Sequence, residues 1–404
     1  MFLLCLFLWV QRRIAKSIER IKSYSLSHSF ETLKPTKTKY IHYGDIHTGK
    51  LSNITDLRML PFIPEGDYES LQKGDLILAD ASEDYRGIGD ICILNVENTE
   101  YNVVSGLHTI ALRPKNDFPF FLYTLFKLES FKHYGYKMGT GLKVFGITYN
   151  SIGKYQFFKP SFEEQRKVSH LIVNIDHLIT LQQRKVDQLN KVKKALLQQL
   201  FPEQASYIPK TRFSQFTDPW EQRKLGEMGK ISRDSVSPNL YPKNEFIEYS
   251  MPAYDLGKKP QIVMGETMLS NRLKIKGDLL LINKLNVHQR RIWLVNEAKE
   301  NSVSSTEFLP YSSSQINLRF LNQFLLSDRA TRDLISISSG SSNSQKRIIP
   351  SDLLNYSIYV PTIKEEQSTI GNYFSNFDSL IDFHRCKLDQ LKQVKKFLLQ
   401  NMFI

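Results

Sequence analysis

The sequence predicts a mixed α+β protein in which two similar globular units are joined by two long helices. Three observations predict this. The chain repeats itself, a first half against a second, across most of its 404 residues. Each copy ends in a proline-free run with the apolar spacing of a helix, 163–201 in the first and 365–403 in the second. Before each run lie short apolar segments divided by Gly, Asn, Asp and Pro, the pattern of strands and turns. With 41% hydrophobic and 12% aromatic residues there is material for two packed cores.

The chain opens on Met1 to Val10, which is almost wholly apolar. That run is far shorter than the roughly 20 residues of a membrane span. Arg12 and Arg13 follow it instead of preceding it, and no small-residue cleavage site is evident, so it does not read as a signal peptide. It is expected to belong to the first unit, because Trp9-Val10-Gln11-Arg12-Arg13-Ile14 has a counterpart in Trp220-Glu221-Gln222-Arg223-Lys224-Leu225. No other segment is apolar for long enough to cross a bilayer.

Within the first unit, Leu76-Ile77-Leu78, Ile91-Cys92-Ile93-Leu94 and Tyr155-Gln156-Phe157-Phe158 are expected strands, and Phe118 to Lys132 an expected helix. The second unit offers Leu279 to Ile282, Ile292 to Val295 and Ile316 to Phe320 as strands, and Leu321 to Leu334 as a helix. Lys73-Gly74-Asp75-Leu76 recurs as Lys276-Gly277-Asp278-Leu279, each copy leading into a strand. Gly139, Ile147, Tyr155 and Pro160 recur as Gly340, Ile348, Tyr356 and Pro361. The expected boundaries are a first unit over 1–160, a helix over 161–201, a linker over 202–219, a second unit over 220–361 and a C-terminal helix over 362–404.

The helices carry the strongest repeat: 18 of 39 aligned positions are identical between 163–201 and 365–403. In the first copy Val168, Ile172, Ile175, Ile179, Val186, Leu189, Leu196 and Leu200 advance by alternating three- and four-residue steps, a heptad seam interrupted at Gln182 and Lys193. The second copy gives Ile370, Phe374, Phe377, Ile381, Leu388, Leu391, Leu398 and Met402, interrupted at His384 and Lys395. Each helix would be about 58 Å long. An apolar stripe of that length needs a partner. Matching interruptions point to mutual packing, antiparallel if an internal two-fold axis relates the halves. The competing arrangements are each helix packing on its own unit, or homodimerisation.

Lys and Arg total 54 against 41 Asp and Glu, a formal charge of +13. Such an excess favours a polyanionic partner, nucleic acid or an anionic membrane surface, although general basicity also keeps a protein soluble. Three separated cysteines, Cys5, Cys92 and Cys386, offer neither a disulfide framework nor metal-ligand spacing, and a cytoplasmic location is the default. His42 and His47 have no third ligand clustered with them. Gly44-Asp45-Ile46-His47-Thr48-Gly49-Lys50-Leu51 falls short of a P-loop, because Leu51 stands where a magnesium-binding hydroxyl is needed. A strand-turn-strand is expected there. No methyl-transfer or nuclease signature is present, so the chain is expected to carry no catalytic residues and to bind no cofactor or metal.

The loops between the paired strands differ sharply: Asp80 to Gly87, containing Arg86, against Asn283-Lys284-Leu285-Asn286-Val287-His288-Gln289-Arg290-Arg291. Similar frameworks with dissimilar polar loops suit two readers of different DNA sequences, since Arg pairs with guanine and Asn or Gln with adenine. Solvated loops diverging without constraint would look the same. Gly139-Thr140-Gly141-Leu142-Lys143 and Ser339 to Arg347, with Lys346 and Arg347, combine small residues and cations as phosphate contacts do, or simply start a helix. The candidate DNA-binding residues are therefore Arg86, Lys143, Asn283, Lys284, His288, Arg290, Arg291, Lys346 and Arg347.

Across essentially the whole chain the plan resembles the specificity subunit of type I restriction-modification systems. The marks are Trp220 to Leu225-Gly226, the Lys-Gly-Asp-Leu before a strand, and Pro160…Glu163-Glu164-Gln165 and Pro361…Glu365-Glu366-Gln367 opening a long helix. Ala15 departs from the pattern, standing where the second copy has Gly226. The resemblance implies two target recognition domains, each reading one half of a bipartite, asymmetric site on double-stranded DNA, in major grooves about one helical turn apart. It implies an antiparallel coiled coil that sets the half-site spacing and docks two methylation subunits. It places S-adenosylmethionine, ATP and Mg2+ on partner methylation and restriction subunits, directing adenine methylation or restriction. A coiled-coil interaction scaffold with incidental basic charge is the alternative from another class.

Overall fold

The computed structural model describes residues 9–82, 87, 89–97, 100–141, 145–202, 206–340 and 346–403. The apolar start before Trp9 lies outside them. The chain divides into two compact units, one of residues 1–181 with 388–404 and one of 182–387.

The first unit is built on a five-stranded sheet in the order Ile18–Ile21, Thr109–Pro114, Leu76–Ala79, Ile91–Leu94, Asn53–Ile54. Its central pairs are antiparallel, Ile77 facing both Ala111 and Cys92, and only the last pair is parallel. The central strands are buried on both faces. One face meets the helices Pro119–Phe126 and Glu129–Met138, with Leu76, Ile93, Phe121 and Phe131 in one cluster; the other meets Ile41, Ile46 and Leu51. The expected single helix over Phe118 to Lys132 is therefore two, divided at Lys127 and Leu128. Tyr43–His47 is a short helix where a strand-turn-strand was expected. His42 starts it by accepting the Gly44 N–H on its ring, and Lys50 folds back onto Asp45 at 2.8 Å. A lysine tied to its own loop's carboxylate is not a phosphate cradle.

The second unit has the same antiparallel core order, Phe308–Ser312, Gly277–Asn283, Ile292–Ala298, edged by Lys230–Ile231. Beside it stands a five-stranded sheet of Ser235–Val236, Arg272–Lys274, Ser302–Ser305, Glu245–Tyr249 and Gln261–Met264. The expected strand at Ile316 to Phe320 is instead a cap and the first turns of helix Leu318–Leu325. The Asn317 side chain accepts the N–H groups of Arg319 and Phe320, which settles an apolar run that either period would fit. A second helix, Asp328–Ser336, follows after Ser327 caps it.

The recurring Lys-Gly-Asp-Leu has a backbone cause. Gly74 and Gly277 both take positive φ, +95° and +68°, where a side chain would be strained. The aspartates differ: Asp75 is buried in a bidentate pair with Arg113, whereas Asp278 accepts the Glu297 N–H.

Each unit closes with a two-stranded ribbon, Val10–Arg13 on Gln156–Lys159 and Trp220–Lys224 on Ser357–Pro361. From each ribbon a 39-residue helix leaves, Phe162–Leu200 and Lys364–Met402, here called the first and second stems. All the expected seam positions are buried or half-buried.

Candidate nucleic-acid interface

Two kinds of feature position any binding surface: the junctions that hold the stems and the loops at the strand ends. The junctions explain the repeated Trp and Glu-Glu-Gln. In the first unit the Trp9 indole N–H donates to Glu164 Oε1 at 3.1 Å. Gln165, fully buried, accepts the Phe118 N–H and donates to Asp117 and to the Pro160 carbonyl. In the second unit Trp220 donates to Glu366 at 3.2 Å, and Gln367 accepts the Asn317 N–H and donates to the Pro361 carbonyl. One carboxylate thus holds the first strand and one amide holds the helix that follows the sheet, so each stem's first turn is tied to its own unit. The linker contributes too. Arg212 grips Glu366 with two hydrogen bonds of 2.7 Å, an anchor with no sequence signal.

Stem pairing is also described within each unit. In the second unit Gln182 meets His384 at 2.8 Å, Lys193 meets Asp378 at 2.5 Å, and Phe201 stacks near Phe374. As one stem advances the other retreats, so these segments run antiparallel. Val186 and Leu189 share a cluster with Ile381 and Phe377. In the first unit Lys395 meets Asp176 at 2.6 Å, and Phe403 stacks on Phe121. Of the seam interruptions noted in the sequence, Gln182 and His384 meet each other, while Lys193 and Lys395 each reach an aspartate of the opposite stem.

The candidate reading loop of the second unit follows strand Gly277–Asn283. Asn283 is buried and its side chain accepts the Leu285 N–H, a turn-forming bond. Lys284 is half-buried; its N–H donates to the Glu307 carbonyl and its own carbonyl accepts from Ile348. Asn286 and Arg290 both adopt left-handed backbone, φ +55° and +51°, on either side of a single turn Val287–Gln289. Such geometry is costly outside glycine and persists where surroundings fix it. Val287 anchors the turn in the core, while His288 and Gln289 stand exposed at its tip. Lys346 lies alongside, its carbonyl accepting the Asn286 N–H, and Arg347 pairs with Glu307 at 3.2 Å.

The two arginines behave differently from free readers. Arg290 donates to Asp328 at 2.5 Å and to the Leu326 carbonyl. Arg291, only 20% exposed, makes a bidentate pair with Asp255 at 2.8 and 2.6 Å and also contacts the Gln289 amide oxygen. The hydrogen bond from Arg291 holds the Asp255 carboxyl below its usual range, and that from Arg290 does the same for Asp328. Sequence reasoning missed both carboxylates and Gln289's contact with Arg291.

In the first unit Arg86 and Lys143 lie outside the described residues. What is described at the same strand ends is a set of histidines and acids. His108, at φ +54°, pairs with Asp80 at 3.4 Å, and His47 and Lys132 both contact Asp90. Among the described residues no helix is long and apolar enough to cross a membrane, and no group of three or more His, Cys, Asp or Glu could hold a metal.

Residues 217–393 match the family model described as the type I restriction modification DNA specificity domain. The type I restriction enzyme MjaVIII specificity subunit of Methanocaldococcus jannaschii is 24% identical over 266 residues, which cover 59% of this chain and 58% of that protein. The putative type I restriction enzyme MjaX specificity subunit of the same organism is 23% identical over 368 residues, 84% of this chain and 81% of its own length. In fold the chain is similar to the type I restriction-modification S subunit from M. genitalium, with a TM-score of 0.58 at 13% identity, covering 100% of this chain and 98% of that one. A second solved chain, from work on complex assembly and conformational transition of the type I R-M system, gives a TM-score of 0.50 at 16% identity over 97% of this chain and 96% of its own.

Proposed function

We propose that this chain, a member of the type I restriction-modification specificity-subunit family, reads one half of a bipartite DNA site with each of its two units. In this reading the boundaries expected from the sequence mark the two target recognition domains, and the stems form one antiparallel coiled coil between them. The observation that carries it is the reciprocal use of one ion pair. Lys193–Asp378 in the second unit and Lys395–Asp176 in the first join equivalent positions of the two repeats in opposite sense. Gln182 and His384, also equivalent, meet each other. A self-complementary stem pair of this kind sets a fixed distance between two reading heads.

The same stems offer docking faces for two methylation subunits. The first unit exposes Leu171, Leu178 and Leu181 on its stem segment with Val394 and Phe397; the second exposes Val192 with Leu380 and Phe383. Leu178, Leu181 and Val192 are the repeat equivalents of Leu380, Phe383 and Val394, so two similar faces suit two copies of one partner. Catalysis, with S-adenosylmethionine, ATP and Mg2+, falls to the partner methylation and restriction subunits, and the complex works in the cytoplasm. Basic loops supply phosphate attraction and the strand-end side chains supply base contacts.

Mapping methylated adenines in cells carrying this chain and its methylation partner tests the reading, the expected result being one bipartite motif. Removing one heptad from each stem keeps the seam in register and shortens it by about 10 Å. The spacer is then expected to shrink by about three base pairs. An unchanged spacer in a folded variant overturns the ruler.

A further inference from the structure

The strained loop of the second unit separates residues that position from residues that can read. Arg290 and Arg291 are the obvious base readers by chemistry, yet both guanidinium groups are committed to carboxylates. Arg290 is held by Asp328 and the Leu326 carbonyl, and Arg291 by two bonds from Asp255. Pulling Arg291 out to a base would take from the Asp255 carboxylate both of its hydrogen bonds, and pulling out Arg290 would leave Asp328 with Lys194 for its charge partner. The contact of Arg291 Nη1 with Gln289 Oε1 has a consequence for the tip. It fixes the amide of Gln289 so that its nitrogen, the donor end, is directed away from the arginine. Asp255 orients Arg291, and Arg291 orients Gln289.

The tip itself is preorganised. The left-handed residues Asn286 and Arg290 frame the turn, Val287 pins it, and the Tyr254 hydroxyl donates to the Arg290 carbonyl while accepting the Ile292 N–H. Beside it His288 and Lys346 line one groove with Val287 and Ile335. The outward groups are the Gln289 amide nitrogen, the His288 ring and the Lys346 ammonium. They are mainly hydrogen-bond donors, and the acceptor next to them, Gln289 Oε1, is already engaged.

We propose that Gln289, with His288 and Lys346, reads the acceptor-bearing major-groove edge of a guanine, and that Arg291 and Asp255 are positioning residues that aim Gln289. Guanine presents N7 and O6 as two acceptors on that edge, which no other base does, so a donor head selects it. This rests on the DNA-reading function proposed above.

The test uses the chain assembled with its methylation partner, and reads the modified motif together with methylation rates on duplexes varied one base pair at a time. The unaltered chain is expected to require a G·C pair in the half-site assigned to the second unit. Gln289→Leu removes the donor and is expected to cut the preference for that pair about tenfold while the other half-site stays strict. Asp255→Asn is expected to relax the same base pair and no other, and to add little in the double variant with Gln289→Leu. His288→Ala is expected to act at that pair or its neighbour. A motif unchanged in Gln289→Leu, or a second half-site without a required G·C pair, overturns the inference and leaves the function standing. Loss of motif everywhere in Asp255→Asn, with a lowered melting temperature, makes Asp255 structural and overturns its aiming role. No sequence-specific methylation by the unaltered assembly overturns the function itself.

Discussion

The two stem junctions use the same residue types at the same positions, yet they are not equally buried. In the first unit Glu164 is half-buried and its described side-chain partner is the Trp9 indole. In the second, Glu366 is 1% exposed and is held by Trp220 and by both arms of Arg212. The second unit follows a linker that lays an arginine over the junction, and a carboxylate can be withdrawn from water only where a charge comes with it. The helix contact behind the strand differs as well. Gly226 packs so closely on the Leu354 carbonyl that a Cβ would sit 3.0 Å from it. In the first unit the small residue has changed sides: Ala15 occupies the Gly226 position, and Gly153 stands where the second unit has Leu354. One cramped contact is solved twice, from opposite walls, which removes the departure that Ala15 presents in the sequence.

The largest break in this comparison is expected from Arg212→Met. It leaves the Glu366 carboxylate buried and unpaired, so the second unit should lose about 3–5 kcal/mol. Glu164→Ala in the first unit is expected to cost about 0.5–1.5 kcal/mol, the worth of one ordinary hydrogen bond. Hydrogen exchange resolved by unit measures both, and adding Glu366→Gln to Arg212→Met should recover much of the loss. Equal losses in the two units would mean that the linker arginine adds nothing.

A sharper probe is Gly226→Ala, which inserts a methyl group against the Leu354 backbone. It is expected to destabilise the second unit by about 1–3 kcal/mol. The clash is with a carbonyl and not with the end of a flexible side chain, so Leu354→Gly should rescue it only in part. Ala15→Gly in the first unit loses a small contact and gains backbone freedom, for about 0.5–1 kcal/mol. Denaturant midpoints of the single variants rank the three.

What could be read from the sequence divides along a physical line. The seam and the junction motif were legible because a heptad is a local period and Pro…Glu-Glu-Gln recurs intact. The strand pairs at Leu76 and Ile91, or Leu279 and Ile292, were legible for the same reason. Ile316 to Phe320 was misread as a strand because its apolar run fits either period, and the deciding Asn317 cap lies inside the run. The arginines of the reading loop could be found as cations but not as anchored ones. Asp255 and Asp328 approach them across 36 and 38 residues of chain, and no spacing rule links such partners. Arg212 was hidden likewise, 154 residues from Glu366.

Acid should separate the two reading ends by a smaller margin. Burial pushes the Asp80 carboxyl of the first unit up, with His108 opposing, whereas guanidinium hydrogen bonds hold Asp255 and Asp328 of the second unit down. For Asp80 the folded value exceeds the unfolded one, so folding favours its protonated form. As pH falls towards the ordinary carboxylate range, this group makes the first unit relatively more stable. For Asp255 and Asp328 the folded values are depressed, so their contribution is present above the unfolded value and is lost as pH falls through the folded one. Mild acid is therefore expected to leave the loop of the second unit closed while the Asp80 site takes up its proton. Carboxyl carbon resonances followed from neutral pH downwards should change first at Asp80, then at Asp328 and Asp255. The reverse order would mean that the arginines do not hold their carboxylates in solution, and the distinction between positioning and reading residues in that loop would go with them.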